Sequence, residues 1–272
     1  MGLSRLQISG MLETAVVAAR LAGQRAMEEL RYIHTTIKNN TELVTHADPI
    51  CQELIISRIK ENFPDHGFIA EEGPNGKMFR VAPREDSAIW WVIDPIDGTN
   101  NYAHGLLGFC VSIAAMYNGR PVVAVIFDPA TESMFTAASE TDAMFNSTRI
   151  NVSDEGINEF ASFAIDSHND PATDKGVAQM MSRTRFRCLG STALHLAYIA
   201  KGSLIGAVTT TAKLWDFAAG ALLIERAGGK FTGIDGKELF PADIENYKGE
   251  KFTILAANNK TSADLLKIFG NF

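Results

Sequence analysis

From Ala88 to Asn101 the chain reads A-I-W-W-V-I-D-P-I-D-G-T-N-N, and its other elements make most sense as the surroundings of this stretch. Ile89, Trp90, Trp91, Val92 and Ile93 run without interruption into a carboxylate, the pattern of a fully buried strand that delivers Asp94 at its end. Pro95 is expected to stop that strand. Side chains alternate along an extended chain, so Asp94 and Asp97 would face opposite ways, and a turn at Pro95 and Ile96 is needed to aim both inward. Gly98 permits unusual dihedrals and close backbone approach, while Thr99 and Asn100 add a hydroxyl and a helix-start residue. A strand, two acids, a glycine and a hydroxyl suggest a site for metal ions and phosphate.

On the N-terminal side, Ile8, Leu12, Ala15, Ala19, Ala22, Gly23, Ala26 and Leu30 recur at helical spacing, so a long opening helix with a face of small residues is expected. His34 to Thr45 reads as a loop or short hairpin, and Asp48-Pro49 as the start of a helix that ends near Pro64. Phe68, Ile69 and Ala70 form a short strand ending in Glu71 and Glu72. On the C-terminal side, Phe109 to Met116 and Val122 to Phe127 flank Asn118-Gly119, a strong hairpin signal, and Ser133 to Ala138 continues an antiparallel meander. Strands and helices then alternate, which implies a layered α/β half. The join is placed near Asn146, Ser147 and Thr148, giving halves 1–147 and 148–272.

The 272 residues are 46% apolar and 21% charged with a net charge of −7, an ordinary globular composition without an apolar run of membrane-spanning length. The acidic balance disfavours nucleic acid and anionic membranes as partners. Cys51, Cys110 and Cys188 are scattered and lack C-x-x-C spacing, which points to a reducing, cytoplasmic setting; no secretory signal is expected at the N-terminus.

Glu71, Asp94, Asp97 and Asp216 all stand at the ends of apolar segments. Gathered together they would repel one another, and divalent cations relieve that; all-oxygen ligation without His or Cys suits Mg²⁺, Mn²⁺ or Ca²⁺. Taken singly, Asp216 and Asp48 also read as helix caps, and Glu71 and Glu72 as solvated surface acids. His195 reads as a packing residue rather than a ligand. Neither a P-loop nor a G-x-S-x-G elbow occurs in the sequence.

The segments D-P-I-D-G-T (Asp94 to Thr99), W-D-F-A-A-G (Trp215 to Gly220), L-V-T-H-A-D (Leu43 to Asp48), F-I-A-E-E-G (Phe68 to Gly73) and G-S-T-A-L-H-L-A (Gly190 to Ala197) together resemble the inositol monophosphatase family of Mg²⁺-dependent, lithium-sensitive phosphatases. The resemblance implies a layered α-β-α-β-α sugar-phosphatase sandwich, with an antiparallel sheet in the N-terminal half, a mixed sheet in the C-terminal half, and a homodimer. It implies two to three Mg²⁺ ions: Glu71, Asp94 and the Ile96 carbonyl for one, Asp94, Asp97 and Asp216 for a second, and waters oriented by Glu71 for a third. Thr99, assisted by Asp48, would activate the attacking water; Gly98 and Thr99 amides would hold phosphate; Glu72 would support the metal shell and Lys38 approach the phosphate. The implied reaction is hydrolysis of a small polyol or sugar phosphate, inositol 1-phosphate first. Thr209 stands where the family has a hydroxyl-binding Glu, and Lys213 where it often has His or Arg. Those two positions suggest a more anionic or differently shaped leaving group, so fructose 1,6-bisphosphate, 3′-phosphoadenosine 5′-phosphate and histidinol phosphate are alternative substrates. A regulatory binding protein on the same fold is the non-enzymatic alternative.

Overall fold

The computed structural model describes residues 2–38, 42–84, 88–167 and 170–270. Helix α1 (Arg5–Glu29) starts at Ser4, whose hydroxyl accepts from the Gln7 amide in a capping box. Its small residues Ala15, Ala18, Ala19, Ala22, Gly23 and Ala26 are buried, and a Cβ on Gly23 would come within 2.7 Å of Phe127. The small-residue face is therefore what lets the helix lie close on the sheet beneath it. Strands β1 (Thr35–Lys38) and β2 (Glu42–Thr45) form an antiparallel hairpin, so the hairpin rather than the loop alternative is found. Asn39 and Asn40 lie outside the described residues.

Helix α2 (Ala47–Asn62), β3 (Gly67–Ala70), β4 (Phe79–Val81) and β5 (Ile89–Asp97) follow, then a single helical turn, α3 (Thr99–Ala103). Strands β6 (Cys110–Tyr117), β7 (Arg120–Asp128), β8 (Ser133–Ala138), β9 (Met144–Phe145) and β10 (Thr148–Arg149) complete the first sheet. Asn118 and Gly119 both take positive φ in the β6–β7 turn, the geometry the sequence signals. The eight strands lie in the order β10-β9-β8-β7-β6-β5-β3-β4, antiparallel except where β3 runs parallel to β5. The sheet thus closes on Arg149, just past the expected join at Ser147.

The second half holds β11 (Ser162–Ile165), α4 (Asp174–Met181), β12 (Arg185–Arg187), α5 (Thr192–Ala200), β13 (Gly206–Ala212), α6 (Leu214–Arg226), β14 (Lys230–Gly233), β15 (Phe252–Ala257) and α7 (Ser262–Phe269). Its five-stranded sheet, β12-β11-β13-β15-β14, is mixed: β12, β11 and β13 are parallel, whereas β15 is antiparallel to its neighbours. Three apolar clusters define the layers. One packs α1 and α2 on the first sheet, one buries α5 and α6 between the sheets, and one packs α4 and α7 on the outer face of the second sheet. This is the expected α-β-α-β-α sandwich. Because the middle cluster draws on both halves, the two halves share a core, and their facing edges hold the acids in a fixed relation.

Candidate active site

Strand β5 does not stop at Pro95 but continues to Asp97, buried throughout. The residue pairs are Asp94 with Ser112 and Asp97 with Cys110, so three steps along β5 oppose two along β6. That extra residue is a bulge. It shifts the alternation by one, which is how Asp94 and Asp97 reach the same side, and Pro95 is tolerated because a bulge frees it from the ladder. The Asp94 carboxylate turns back to accept from the Ile96 amide at 3.0 Å. Gly98 follows at φ 99°, where a Cβ would lie 2.8 Å from the Gly108 carbonyl, so no other residue fits without strain.

Each acid is fastened through one oxygen. Asp97 Oδ2 accepts from the Ser191 hydroxyl at 2.5 Å and the Ala193 amide at 2.6 Å, at the start of α5. Ser191 also caps that helix by accepting from the Leu194 amide. Asp216 is not the N-cap of α6; Lys213 holds that place, and Asp216 Oδ2 accepts from its amide at 2.8 Å. One carboxylate oxygen from each of Asp94, Asp97 and Asp216 lies within 4.8 Å of the others. Burial and the neighbouring acids Glu71, Asp97 and Asp216 push the Asp94 carboxyl well above its ordinary range. Burial raises Asp97 to about 6, against the pull of the Ser191 and Ala193 hydrogen bonds; burial and the Asp97 charge raise Asp216 to about 8. Such a trio could hold a divalent cation, which would restore the charged forms.

Asp48 lies in the first turn of α2 rather than at its cap, which is His46. Its Oδ2 accepts from the Thr45 amide and hydroxyl at 2.9 and 2.6 Å, and its Oδ1 lies 3.4 Å from the Thr99 hydroxyl. Thr99 donates to the Ile96 carbonyl at 3.0 Å. Burial raises Asp48 to about 6. Glu71 sits beside Asp94, and Glu72 near Asp48, with the Glu72 backbone gripped by both ends of the Gln52 amide. Lys213 stands over Trp215, its Nζ 5.3 Å from the ring centroid, and Thr209 is buried on β13. The Lys38 side chain lies outside the described residues. His195 is buried and accepts from the Leu189 amide at 2.9 Å, a packing role, as expected; burial lowers it to about 4 and keeps it neutral.

Sequence reasoning missed several parts. Gln52, Thr45 and Ser191 position the acids. Asn101 donates to the carbonyls of Gly108 and Leu189 at 2.6 and 2.7 Å, tying α3 to the turn before Ser191. Asp166 was missed too, although F-A-I-D at Phe163 to Asp166 repeats the signal of an apolar strand ending on an acid. Its carboxylate lies close to the Thr192 and Thr209 hydroxyls, and burial and the Asp97 charge raise it to about 7. A carboxylate is therefore present one strand over from Thr209.

Among the described residues no helix is long and apolar enough to cross a membrane. Residues 7–269 match the model of the inositol monophosphatase family. The chain is 38% identical over 198 residues to a fructose-1,6-bisphosphatase/inositol-1-monophosphatase of Thermotoga maritima, covering 72% of this chain and 73% of that one. It is 34% identical over 237 residues to Nus factor SuhB of Vibrio cholerae, covering 83% and 86%. A solved IMPase structure from Thermotoga maritima superposes with a TM-score of 0.81 at 31% identity, over 95% of this chain and 96% of that one. A family match across almost the whole chain, on a shared fold with its acids brought together, means that this chain belongs to the inositol monophosphatase family.

Proposed function

We propose that this protein is a Mg²⁺-dependent phosphomonoesterase that hydrolyses a small polyol or sugar phosphate, inositol 1-phosphate foremost. The observation that carries this reading is the trio of the buried Asp94 and Asp97 with the half-buried Asp216, beside a hydroxyl–carboxylate pair, Thr99 and Asp48. The donor set fits the metal: all oxygens, buried or half-buried, mutually repelling, and each held by a hydrogen bond that aims it. Glu71, Asp94 and the Ile96 carbonyl would hold one ion, and Asp94, Asp97 and Asp216 a second, with Glu71 orienting water for a third. Bound Mg²⁺ would polarise the phosphoryl group and make a bound water more acidic.

The residues supply position and proton transfer. Thr99 Oγ1, anchored on the Ile96 carbonyl, presents lone pairs to the attacking water, and Asp48 takes the proton, its elevated pKa suiting a base near neutrality. Gly98 and Thr99 amides donate to phosphate oxygens; with α3 only one turn long, the amides themselves and not a helix dipole do this. Glu72 supports the acids from behind Asp48, Thr209 and Lys213 border the leaving group, and Lys38 keeps the role that the family resemblance implies for it, toward the phosphate. The three cysteines are unpaired, which suits the reducing cytoplasm, and a homodimer is the expected assembly. A second reading comes from the relatives named Nus factor SuhB: a binding role for the chain on the same fold. The retained Thr99–Asp48 pair favours chemistry, since a binder has no need of a positioned water.

The test is phosphate release from inositol 1-phosphate, fructose 1,6-bisphosphate, 3′-phosphoadenosine 5′-phosphate and histidinol phosphate at one Mg²⁺ concentration. Inositol 1-phosphate should be turned over fastest. Chelation should abolish release, and Asp94→Asn should lower kcat/KM roughly 10³-fold. Activity that survives complete metal removal overturns the reading; binding of these esters without turnover favours the regulatory one.

A further inference from the structure

Asp166 stands at the C-terminal end of β11, where the parallel strands of the second sheet open toward the metal-ligating acids. Ile165 pairs with Val208, so Asp166 and Thr209 follow as neighbours at the same end of the sheet. Thr192, also close to Asp166, is the first residue of α5 and adjoins Ser191, which holds Asp97. Asp166 is thus flanked by two threonines and remains partly exposed, with lone pairs free for a ligand, since a carboxylate offers about four.

The elements that carry the acids give their order: Asp48 and Thr99 belong to α2 and α3, the carboxylate oxygens of Asp94, Asp97 and Asp216 lie within 4.8 Å of one another, Asp97 is bound at the start of α5 by Ser191 and Ala193, and Asp166 follows β11 next to that helix start. The row therefore runs from Asp48, through Asp94, to Asp97 and Asp216, and ends at Asp166. Thr99 and Asp48 stand at the first end. In-line displacement at phosphorus puts the leaving group opposite the attacking water, which is the Asp166 end. Building on the phosphomonoesterase reading, we propose that Asp166 determines substrate specificity, its carboxylate accepting hydrogen bonds from hydroxyl or ammonium groups of the leaving group and repelling a second phosphate there. The carboxylate stays an acceptor throughout, and no bond to it forms or breaks. The preferred substrates are then polyol or amino-alcohol monophosphates, in preference to bisphosphates.

The experiment compares the parent with Asp166→Asn, using Asp166→Ser if the asparagine variant does not fold. The ratio of kcat/KM for inositol 1-phosphate to that for phenyl phosphate, whose leaving group carries no further hydroxyl, should fall about tenfold or more. The corresponding ratio for fructose 1,6-bisphosphate should hold or rise. An inositol 1-phosphate ratio within about twofold of the parent's, or a fall for the bisphosphate equal to that for the inositol ester, overturns the proposal. A calorimetric titration of Mg²⁺-loaded protein with myo-inositol and inorganic phosphate gives a readout independent of turnover, and inositol binding should weaken about tenfold in the variant. If the parent hydrolyses no phosphomonoester, the phosphatase reading falls, and this titration judges Asp166 alone: equal affinity in the two proteins, or no inositol binding by the parent, overturns it.

Discussion

At one end of the acid row, a local turn joins Thr45 to Asp48, and Thr99 meets them from a second short segment, 51 residues from Asp48 in the chain. At the other end, Asp166, Thr192 and Thr209 come from three elements of the second sheet layer, and only the parallel pairing of β11 with β13 makes them meet. On the proposed reading the first end does the chemistry, with residues from two short segments. On the same reading the second end selects the leaving group and can be changed without touching the first. A fold that separates the two in this way can keep one reaction while exchanging leaving groups.

Thr99→Ala attacks the first end alone. It removes the hydroxyl between Asp48 and the Ile96 carbonyl, so kcat should fall about 10²-fold with KM little changed, and Thr99→Ser should recover most of the loss. Steady-state kinetics on inositol 1-phosphate checks this; a change in KM alone would place Thr99 in ground-state binding instead.

Ser191→Ala acts between the ends. It frees Asp97 Oδ2 from its hydroxyl donor and leaves α5 uncapped, so Mg²⁺ affinity should weaken about tenfold. Metal titration followed by calorimetry measures it, and unchanged affinity would show that the Ala193 amide suffices to aim the carboxylate.

The smallest effect concerns the whole row without metal. Asp48 and Asp97 are raised to about 6, Asp166 to about 7 and Asp216 to about 8, from the ordinary 3.8. Between the ordinary and raised values the folded chain binds more protons than the unfolded one, so stability falls as pH rises through this range. The Tm of metal-free protein should therefore decline between about pH 5 and about pH 8, and added Mg²⁺ should raise Tm more at the higher pH. Thermal unfolding at both pH values, with and without Mg²⁺, measures it. A Tm that instead climbs with pH would mean that cationic groups, not metal, already neutralise the row.

Much of this was legible before any fold was in hand. An apolar run ending in Asp94, an Asn-Gly turn, a helix face of alanines and an all-oxygen set of acids each have a local physical cause, and each appears in the structure where the pattern put it. Other features had no local signature. The sequence at Pro95 predicts an ending, because proline cannot donate to a ladder; that the strand instead absorbs one extra residue and carries Asp97 to the same side depends on its pairing with β6. Capping preference alone made Asp216 a cap, whereas Lys213 occupies that place and Asp216 turns toward its partners.

The residue types, their order and the hydrophobic periodicity of this chain determine its strands, its long first helix and the chemistry of its acids, because those depend on neighbours a few residues away. Which acids face one another, and that a threonine at position 209 is accompanied by a carboxylate from position 166, is decided only when β11 lies beside β13 and α5 is seated on Asp97. Contacts between residues so distant in the chain arise from sheet register and layer packing, and no local pattern encodes them.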